Sequence, residues 1–474
     1  MALVLGVDSS TSATKLEVRD SEDGRVVARG RAPHPATSPP RSEQDPAVWW
    51  DAFQRAYAEA GRPQVAAVAV AAQQHGLVVL DSRDQVVRPA KLWNDTESAP
   101  DAEWLVTRLG PGAWAEACGS VPVASFTITK LSWMHRCEPA NFRRLARVML
   151  PHDWLTFRLC GERVTDRGDA SGTGYWSPAD GRWRPDLLAI VDETVDWEAA
   201  LPAVLGPAAA AGAWGGAVVA PGTGDNMAAA LGMGLEPGDV ALSLGTSGTA
   251  CTVSNVPSVD ASGTVAGFAD ATGRFLPLVC TLNATRVTEA VARLLGLDLV
   301  ALDGMAAAAP AGSEGVVLVP YLDGERTPNR PGATGVLTGL RSGTGREHLA
   351  RAAFEGVVCG LLQGLDHLPA SPEGRMFLVG GGASSSTYRH TVADLAGREV
   401  IVPSSGEQVA AGACAQAVAV LEGRPPGEVA AAWGLGSGAV VEPDGRVHGE
   451  AIRARYAAVA AGAATMCPDE PPHR

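Results

Sequence analysis

The chain has 474 residues, of which 46% are hydrophobic and 19% charged. This composition is typical of globular proteins and excludes the disordered and fibrous classes. The 38 basic and 52 acidic residues give a formal net charge of −14, which disfavours nucleic acid and anionic membranes as partners. The length fits roughly two or three domains.

Cysteine spacing and the N-terminal sequence indicate the compartment. The eight cysteines are far apart and form no Cys-x-x-Cys pair, so the sequence predicts neither a zinc knuckle nor a compact disulfide framework. The N-terminus has no cationic region and reaches Asp8 before any signal-peptide core forms. The long charge-poor stretch 199–222 is interrupted by prolines and glycines, which disfavours a membrane span. These features predict a cytoplasmic protein.

The first elements read as strands followed by a helix. Three short β-type runs separated by turn signals predict an antiparallel meander at Leu3–Val7, Lys15–Arg19 and Val26–Arg29. Asp45 and Pro46 are typical of a helix start, and apolar residues then recur at helical spacing. The continuous apolar run Val65–Ala72 is typical of a strand buried on both faces, which requires helices on either side of a sheet.

The second half repeats this α/β pattern and predicts a second, similar domain. Its predicted strands are Val240–Leu244, Ala250–Val253, Val316–Pro320 and Met376–Val379, and its predicted helices are Thr285–Leu295, Arg346–Leu368, Ser386–Ala396 and Gln408–Leu421. We divide the chain into domains 1–236 and 237–474. The Ala/Pro/Gly-rich stretch 199–222 is interpreted as the place where the chain crosses between them.

Two hydroxyl-rich turns are candidate phosphate sites. The segments Asp8–Lys15 and Ser243–Thr249 each follow a predicted strand and offer backbone N–H groups and hydroxyls in a tight loop. One such turn alone is usually a simple hairpin. Two turns half a chain apart, the first led by Asp8, favour a polyphosphate ligand. The run Gly380–Ala383 could let a flat ring or ribose lie against backbone, although close packing of a helix on a strand explains it equally well.

A candidate acid lies at the start of a helix. Asp225 follows a glycine-rich turn and precedes the small-residue helix 227–231. One interpretation is an ordinary N-cap. The other is a carboxylate that accepts a proton from a hydroxyl attacking phosphorus. We expect the helix end to keep this acid ionised, which makes it a weak base, but phosphoryl transfer tolerates a weak base.

Two further clusters carry groups that bind polyhydroxylated sugars. They are Gln73–Gly76, after the buried strand, and Leu92–Asp95. Their amides, imidazole, indole and carboxylate supply hydrogen bonds and a stacking face. The alternatives are a turn histidine at His75 and an Asx turn at Asn94 and Asp95.

Taken together, these segments resemble the FGGY family of carbohydrate kinases, and within it the bacterial xylulokinases. The matching segments cover nearly the whole chain: Asp8–Lys15, Ser42–Pro46 with Trp49 and Trp50, Gln74–Gly76, Leu92–Asp95, Leu150–Asp153, Gly224–Asn226, Leu242–Gly248, Pro320–Pro328 and Gly380–Ala383. The Gln-His-Gly and Trp-Asn-Asp segments point to a pentulose rather than glycerol.

The resemblance implies a fold and a reaction. The fold is two ribonuclease-H-like domains, of the actin, hexokinase and Hsp70 type, around a hinged interdomain cleft, with sugar mainly on the first domain and ATP mainly on the second. The reaction is transfer of phosphate from ATP, with Mg²⁺, to the 5-hydroxyl of D-xylulose. A homodimer is one assembly that the resemblance leaves open.

The resemblance also assigns roles to residues. Asp225 is the proton acceptor, and Asp8 is a catalytic acid that helps to place Mg²⁺. The sugar-binding set is Gln74, His75, Trp93, Asn94, Asp95, Asp225 and Asn226. The ATP-binding set is Ser10, Thr11, Lys15, Gly245, Thr246, Ser247, Gly248, Gly381, Gly382 and Ala383.

The chain departs from the family at two positions. Glu97 stands where relatives usually have Arg, and reversing a charge near the substrate puts the accepted sugar in doubt. Ser10 replaces a common Gly, so we expect no positive φ there. Among scarce lysines, Lys15 and Lys130 lie in matching segments and Lys91 adjoins one. Two alternatives to a D-xylulose kinase stay open. One is a kinase for ribulose, another ketose or a pentitol, and the other is a non-catalytic actin/Hsp70-like ATP-binding switch.

Overall fold

The computed structural model describes residues 2–404 and 406–466. Within these residues the chain forms two compact units. Unit 1 comprises 2–235, 255–276 and 406–435, and unit 2 comprises 236–254, 277–404 and 436–466. Unit 1 therefore includes two segments from the second half of the chain.

The strands, in chain order, are β1 Leu3–Ser9, β2 Ala13–Asp20, β3 Val26–Pro33, β4 Glu43–Gln44, β5 Ala67–Ala72, β6 Val78–Leu80, β7 Ala90–Lys91, β8 Arg147–Met149, β9 Val164–Asp166, β10 Trp176–Ser177, β11 Arg182–Trp183, β12 Ala203–Leu205, β13 Gly212–Trp214, β14 Ala217–Val219, β15 Thr223–Gly224, β16 Val240–Leu244, β17 Gly248–Thr252, β18 Ala266–Ala269, β19 Phe275–Thr281, β20 Val317–Val319, β21 Val336–Thr338, β22 Met376–Val379, β23 Val400–Pro403 and β24 Gly438–Val441.

The helices are α1 Pro46–Glu59, α2 Ala99–Leu109, α3 Pro111–Cys118, α4 Thr127–Cys137, α5 Pro139–Phe142, α6 Pro151–Cys160, α7 Arg167–Ala170, α8 Pro185–Leu188, α9 Trp197–Ala200, α10 Asp225–Gly232, α11 Thr285–Leu295, α12 Leu299–Ala308, α13 Arg346–Leu365, α14 Ser386–Ala396, α15 Gln408–Glu422, α16 Pro426–Ala432 and α17 Gly449–Met466. Short 3₁₀ turns lie at Ser313–Gly315 and Gly381–Ser384.

The sheet of unit 1 has the order β13-β14-β5-β1-β2-β3. Strands β1, β2 and β3 form the predicted antiparallel meander, and β5 pairs with β1 in parallel. All six residues of β5 are buried, which confirms the prediction of a strand covered on both faces. The start of α1 is also confirmed, because the Asp45 side chain accepts a hydrogen bond from the N–H of Ala47 and Pro46 is the first helical residue.

The stretch 199–222 is not a linker between the units, contrary to the sequence interpretation. It contributes β12, β13 and β14 to unit 1, and β14 pairs in parallel with β5. Gly215 and Gly216 have φ values of 53° and 90° and form the turn between β13 and β14, a conformation that favours glycine. The composition therefore reflected a tight edge hairpin rather than a connection between domains.

Unit 2 repeats the strand order of unit 1. Its sheet runs β19-β17-β16-β22-β23-β24, with an antiparallel trio followed by two parallel pairings and one antiparallel pairing. This confirms the predicted α/β class with a similar mixed sheet in each half. Helices α11 and α14 begin and end where the sequence predicted. The strand predicted at Val316–Pro320 instead pairs with β21 in a separate small sheet.

Neither a membrane span nor a disulfide is found in the described part of the chain. No helix there combines the length and apolar character needed to cross a bilayer. The seven described cysteines are free thiols, and Cys467 lies outside the described residues.

Helix α15 comes from the second half of the chain but packs inside unit 1. A Cβ at Gly412 of α15 would lie 1.9 Å from the carbonyl oxygen of Ala228 in α10. A Cβ at Gly6 of β1 would lie 2.2 Å from the carbonyl oxygen of Ala410 in α15. Because the backbones touch at both places, α15 fixes the spacing between β1 and α10.

We expect Gly412→Ala to lower the free energy of unfolding by about 1–3 kcal/mol, the usual cost of overpacking. The clash with α10 should outweigh the gain in helix propensity of roughly 1 kcal/mol. Gly427→Ala in α16 is the matched control, because its Cβ would meet nothing within 4 Å. Urea unfolding of both variants measures the difference, and equal stability of the two would contradict this packing argument.

Candidate active site

Strand pairing brings two aspartates to one edge of the unit 1 sheet. Strands β1 and β15 both run parallel to β5, and Ser9 and Gly224 both pair with Ala72. The carboxyl ends of parallel strands open at the same edge of a sheet. Asp8 therefore lies at this edge near the end of β1, and Asp225 lies there as the first residue of α10.

Both acids have raised pKa values. Burial raises the pKa of Asp8 to about 7, although the Lys15 ammonium lies 4.0 Å from its Oδ2. Loss of solvent raises the pKa of Asp225 to about 8, with further contributions from the charges of Asp8 and Asp169. The raised pKa of Asp225 runs against the expectation that the helix end keeps this acid ionised. Desolvation and two like charges outweigh the helix dipole.

The raised pKa makes Asp225 a better base than the sequence suggested. A general base is most effective when its pKa lies near the working pH. One carboxylate oxygen of Asp225 accepts hydrogen bonds from the backbone N–H and the side-chain amide of Asn226, at 2.8 and 3.1 Å. These two bonds hold the carboxyl group in a defined orientation.

Asp8 offers an acceptor suited to a divalent cation. Its Oδ1 is buried and has no hydrogen-bond partner among the described residues, and the residue is 5% exposed. Mg²⁺ prefers carboxylate oxygens together with phosphate oxygens and waters. The chemistry of this side chain therefore fits the predicted metal role, which stays a prediction.

The first predicted phosphate turn has its hydroxyls partly engaged. The Ser10 hydroxyl donates to the carbonyl of Ala13 at 3.0 Å, and Ser10 is not among the described residues with positive φ. Thr11 Oγ1 donates to Gln73 Oε1 at 3.2 Å. Lys15 Nζ forms an ion pair with Glu407 Oε2 at 2.8 Å. Glu407 was missed by the sequence analysis, because it is 392 residues away along the chain.

The predicted sugar-binding amides form one hydrogen-bonded group with Asp225. The Asn226 amide that contacts Asp225 also donates to Gln74 Oε1 at 2.7 Å. Gln74 is 3% exposed, and its own Nε2 is buried without a hydrogen-bond partner in the part of the chain that the structure describes. His75 has a φ of 66°, and its Nδ1 donates to the carbonyl of Gly172 at 2.7 Å. His75 is thus a turn histidine as well as a neighbour of the sugar-binding candidates.

The second predicted sugar cluster divides into two parts. Trp93 is 41% exposed, and its Nε1 donates to Thr11 Oγ1 at 2.9 Å. Asn94 has a buried Oδ1 that accepts no hydrogen bond from residues 2–404 or 406–466. Asp95 is different, because it is fully buried and accepts hydrogen bonds from Lys91 Nζ and the N–H of Ser42, both at 2.9 Å. This corrects the prediction that Asp95 binds sugar, since its carboxylate holds the loop instead.

The charge of Glu97 is also used internally. The fully buried Lys91 ammonium lies 2.6 Å from Glu97 Oε2 and 3.2 Å from Glu43 Oε1. Although partial burial opposes ionisation, Lys91 and Arg41 hold the pKa of Glu97 below its usual value. The expectation that Glu97 reverses the charge next to substrate is therefore not supported, because its charge is neutralised by Lys91 and Arg41.

In unit 2 the predicted nucleotide residues meet at the ends of β16 and β22. The turn Gly245–Gly248 is closed by a bond from the N–H of Gly245 to the carbonyl of Ser247, at 3.0 Å, and the N–H of Thr285 donates to the carbonyl of Gly245 at 2.9 Å. A Cβ at Gly382 would lie 2.7 Å from Leu244 Cβ, whereas one at Gly381 would meet nothing. Gly382 therefore has a packing role, and Ala383 is 6% exposed.

Family comparison agrees with this arrangement. Residues 3–232 match the N-terminal domain, and residues 240–421 match the C-terminal domain, of the FGGY family of carbohydrate kinases. The chain belongs to the FGGY kinases. This FGGY kinase is 48% identical over 455 residues to the xylulose kinase of Streptomyces coelicolor, with 93% of the chain and 92% of the relative covered.

Other relatives are consistent with this assignment. The FGGY kinase is 36% identical to the xylulose kinase of Escherichia coli, with 85% of the chain and 87% of the relative covered. A solved xylulose kinase from Bifidobacterium adolescentis matches it with a TM-score of 0.87 and 42% identity, covering 97% and 99% of the two chains. These matches confirm the resemblance and the two-domain α/β fold class predicted from the sequence.

We expect Glu97→Arg, which restores the usual family residue, to lower the free energy of unfolding by about 2 kcal/mol. It places a cation beside Lys91 and removes one of the three carboxylates around that buried ammonium, and partial exposure moderates the cost. Glu103→Arg on the exposed face of α2 is the control and should change stability by less than about 0.5 kcal/mol. Urea unfolding measures both, and an unchanged stability of Glu97→Arg would contradict this account.

Proposed function

We propose that this chain is a xylulokinase that transfers the γ-phosphoryl group of ATP to the 5-hydroxyl of D-xylulose. The observation that carries the proposal is the hydrogen-bonded group of Gln74, Asn226 and Asp225. It places a carboxylate with a pKa of about 8 beside amides suited to a polyol. Family membership and the names of the relatives support the choice of substrate.

In the proposed reaction, Asp225 accepts the proton of the attacking 5-hydroxyl. Gln74, His75 and Asn226 hydrogen-bond the ketopentose, while Trp93 supplies a stacking face. The transition state of phosphoryl transfer is loose, so orientation of the hydroxyl matters more than the strength of the base. Asp225 has both an oriented carboxylate and a raised pKa.

The nucleotide is assigned mainly to the domain 237–474 and the sugar to the domain 1–236. Backbone N–H groups of Gly245–Gly248 and the Ser10–Thr11 turn are proposed to hold phosphate oxygens, and Gly381 to leave room for adenosine. Asp8 would hold Mg²⁺, which when bound neutralises negative charge on the phosphates. We place the reaction in the cytoplasm, consistent with the free thiols of the described cysteines.

The substrate is tested by coupled ADP release with D-xylulose, D-ribulose, a pentitol and glycerol. We expect the highest kcat/KM for D-xylulose and little ATP hydrolysis without sugar.

Asp225→Asn should lower kcat by about 10²–10⁴-fold, the usual contribution of a general base. The control Asp298→Asn, at the N-cap of α12, should retain full activity because Asn is an equally good cap.

A higher kcat/KM for another sugar would replace D-xylulose as substrate. ATP hydrolysis unaffected by every sugar would instead favour the ATP-binding switch.

The pKa of Asp225 leads to a pH dependence. Because the group must be ionised to accept a proton, kcat/KM for D-xylulose, which reports the enzyme before the sugar binds, should fall about tenfold per pH unit below pH about 8 and level off above it. The apparent pKa belongs to the interacting pair Asp8 and Asp225 rather than to one residue. Steady-state rates from pH 6 to pH 9 at constant free Mg²⁺ measure the profile. A flat profile over this range would show that Asp225 is already ionised, as in an ordinary aspartate.

A further inference from the structure

A buried histidine surrounded by aspartates lies in unit 1 outside the residues assigned above. His152, in α6, is fully buried. Its Nδ1 lies 2.7 Å from Asp169 Oδ2, and its Nε2 lies 3.1 Å from Asp153 Oδ1. A third carboxylate, Asp166 Oδ1, lies 3.8 Å from Nε2. The sequence analysis gave these residues no role.

This imidazole is the counter-charge of the cluster. The Nδ1–H donates a hydrogen bond to Asp169 Oδ2 at 2.7 Å, and the Asp153 carboxyl group lies within ion-pair distance of Nε2, which favours the doubly protonated ring. Although burial opposes the charged form, Asp153, Asp169 and Asp166 raise the pKa of His152 to about 9. Burial raises the pKa values of Asp166 and Asp169, and the charge of His152 opposes this rise, so the cation favours their ionised forms.

The first connection from the cluster, the Thr223 arm, runs from Asp166 to Thr223 in the segment that precedes Asp225. Asp166 caps α7 by accepting the backbone N–H of Asp169 at 2.9 Å. Its Oδ2 also accepts the hydroxyl of Thr223 at 2.7 Å. Thr223 belongs to β15, a strand of only two residues that ends directly before Asp225. The hydroxyl bond therefore anchors a backbone segment that strand pairing alone holds weakly.

The second connection, the His75 arm, runs from Asp169 through Gly172 to His75. The backbone N–H of Gly172, just after α7, donates to the carbonyl of Asp169 at 2.9 Å, and the carbonyl of Gly172 accepts the His75 Nδ1–H at 2.7 Å. A Cβ at Gly172 would lie 2.6 Å from the His75 ring. The imidazole thus lies directly against the segment that follows α7, which accounts for the strained positive φ of His75.

We infer that His152, Asp166 and Asp169 form a positioning unit that sets the place of the proton acceptor Asp225 through Thr223 and the place of His75 through the α7 segment. The inference rests on the proposed function. None of the three residues needs to touch the sugar. Weakening the Thr223 arm should lower kcat, because it displaces the base. Weakening the His75 arm should raise the KM for sugar, and neither change should alter the KM for ATP.

The Thr223 arm is tested by a pair of substitutions that separate the hydroxyl from the volume. Thr223→Val keeps the shape and removes the donor, and should lower kcat with D-xylulose about 10- to 100-fold, the rate equivalent of a hydrogen bond to a charged group. Thr223→Ser keeps the hydroxyl and should restore kcat to within about threefold of the parent. Thr156→Val is the control, since Thr156 is also fully buried but its hydroxyl has no partner in the described structure.

The His75 arm is tested by Gly172→Ala, which forces the imidazole to move. We expect the KM for D-xylulose to rise about tenfold, with the KM for ATP unchanged. This second variant keeps the inference testable even if Thr223→Val does not fold.

The inference is overturned if Thr223→Val has the kcat of Thr156→Val, if Thr223→Ser fails to restore kcat, or if Gly172→Ala leaves the KM for D-xylulose unchanged. A rise in the KM values for both substrates together with a lower melting temperature would also overturn the inference, because that result indicates only a structural role. Asp225→Asn separates the two claims. An active Asp225→Asn rejects the proposed function, whereas an inactive one with normal Thr223→Val rejects the positioning unit alone.

Discussion

The parallel pairing of β1 and β15 on either side of β5 is the constraint on which the site depends. Ser9 and Gly224 share Ala72 as their pairing partner, so the residues that follow or precede them are brought to one edge. Residues far apart in the chain become neighbours because strand pairing has a fixed spacing. Helix α15 then fixes the distance between β1 and α10, because glycines allow its backbone to touch both elements.

Within unit 1 the candidate reactive acids are difficult to ionise, whereas the scaffold residue Asp95 is paired with a cation. Asp8 and Asp225 have raised pKa values, mainly through desolvation. Asp95, by contrast, has the Lys91 ammonium as a partner. An acid that substrate can reach and that has a perturbed pKa is typical of functional sites. A fully buried acid in an ion pair has a structural role. This distinction explains why Asp95 belongs to the scaffold.

The three lysines of this arginine-rich chain each have a defined role. Lys15 pairs with Glu407, and Lys91 is enclosed by acids. Lys130 is fully buried, and its ammonium donates to the carbonyls of Ala124 and Phe126 at 3.1 and 3.3 Å. Phe126 in turn stacks on His75 with a centroid distance of 5.0 Å.

The sequence by itself determined the α/β class, the meander at the start of the chain, the helices α11 and α14, and the residue types at the candidate site, because these depend on local periodicity, turn chemistry and short motifs. Tertiary structure decided which of those residues meet. Asp95 and Gly382 are used in packing, and the stretch 199–222 forms β12, β13 and β14. Glu407, Asp169 and His152 lie near the site although they come from distant segments of the chain. The pKa of Asp225 was also decided there, because desolvation and neighbouring charges depend on the packed environment, which no local pattern encodes.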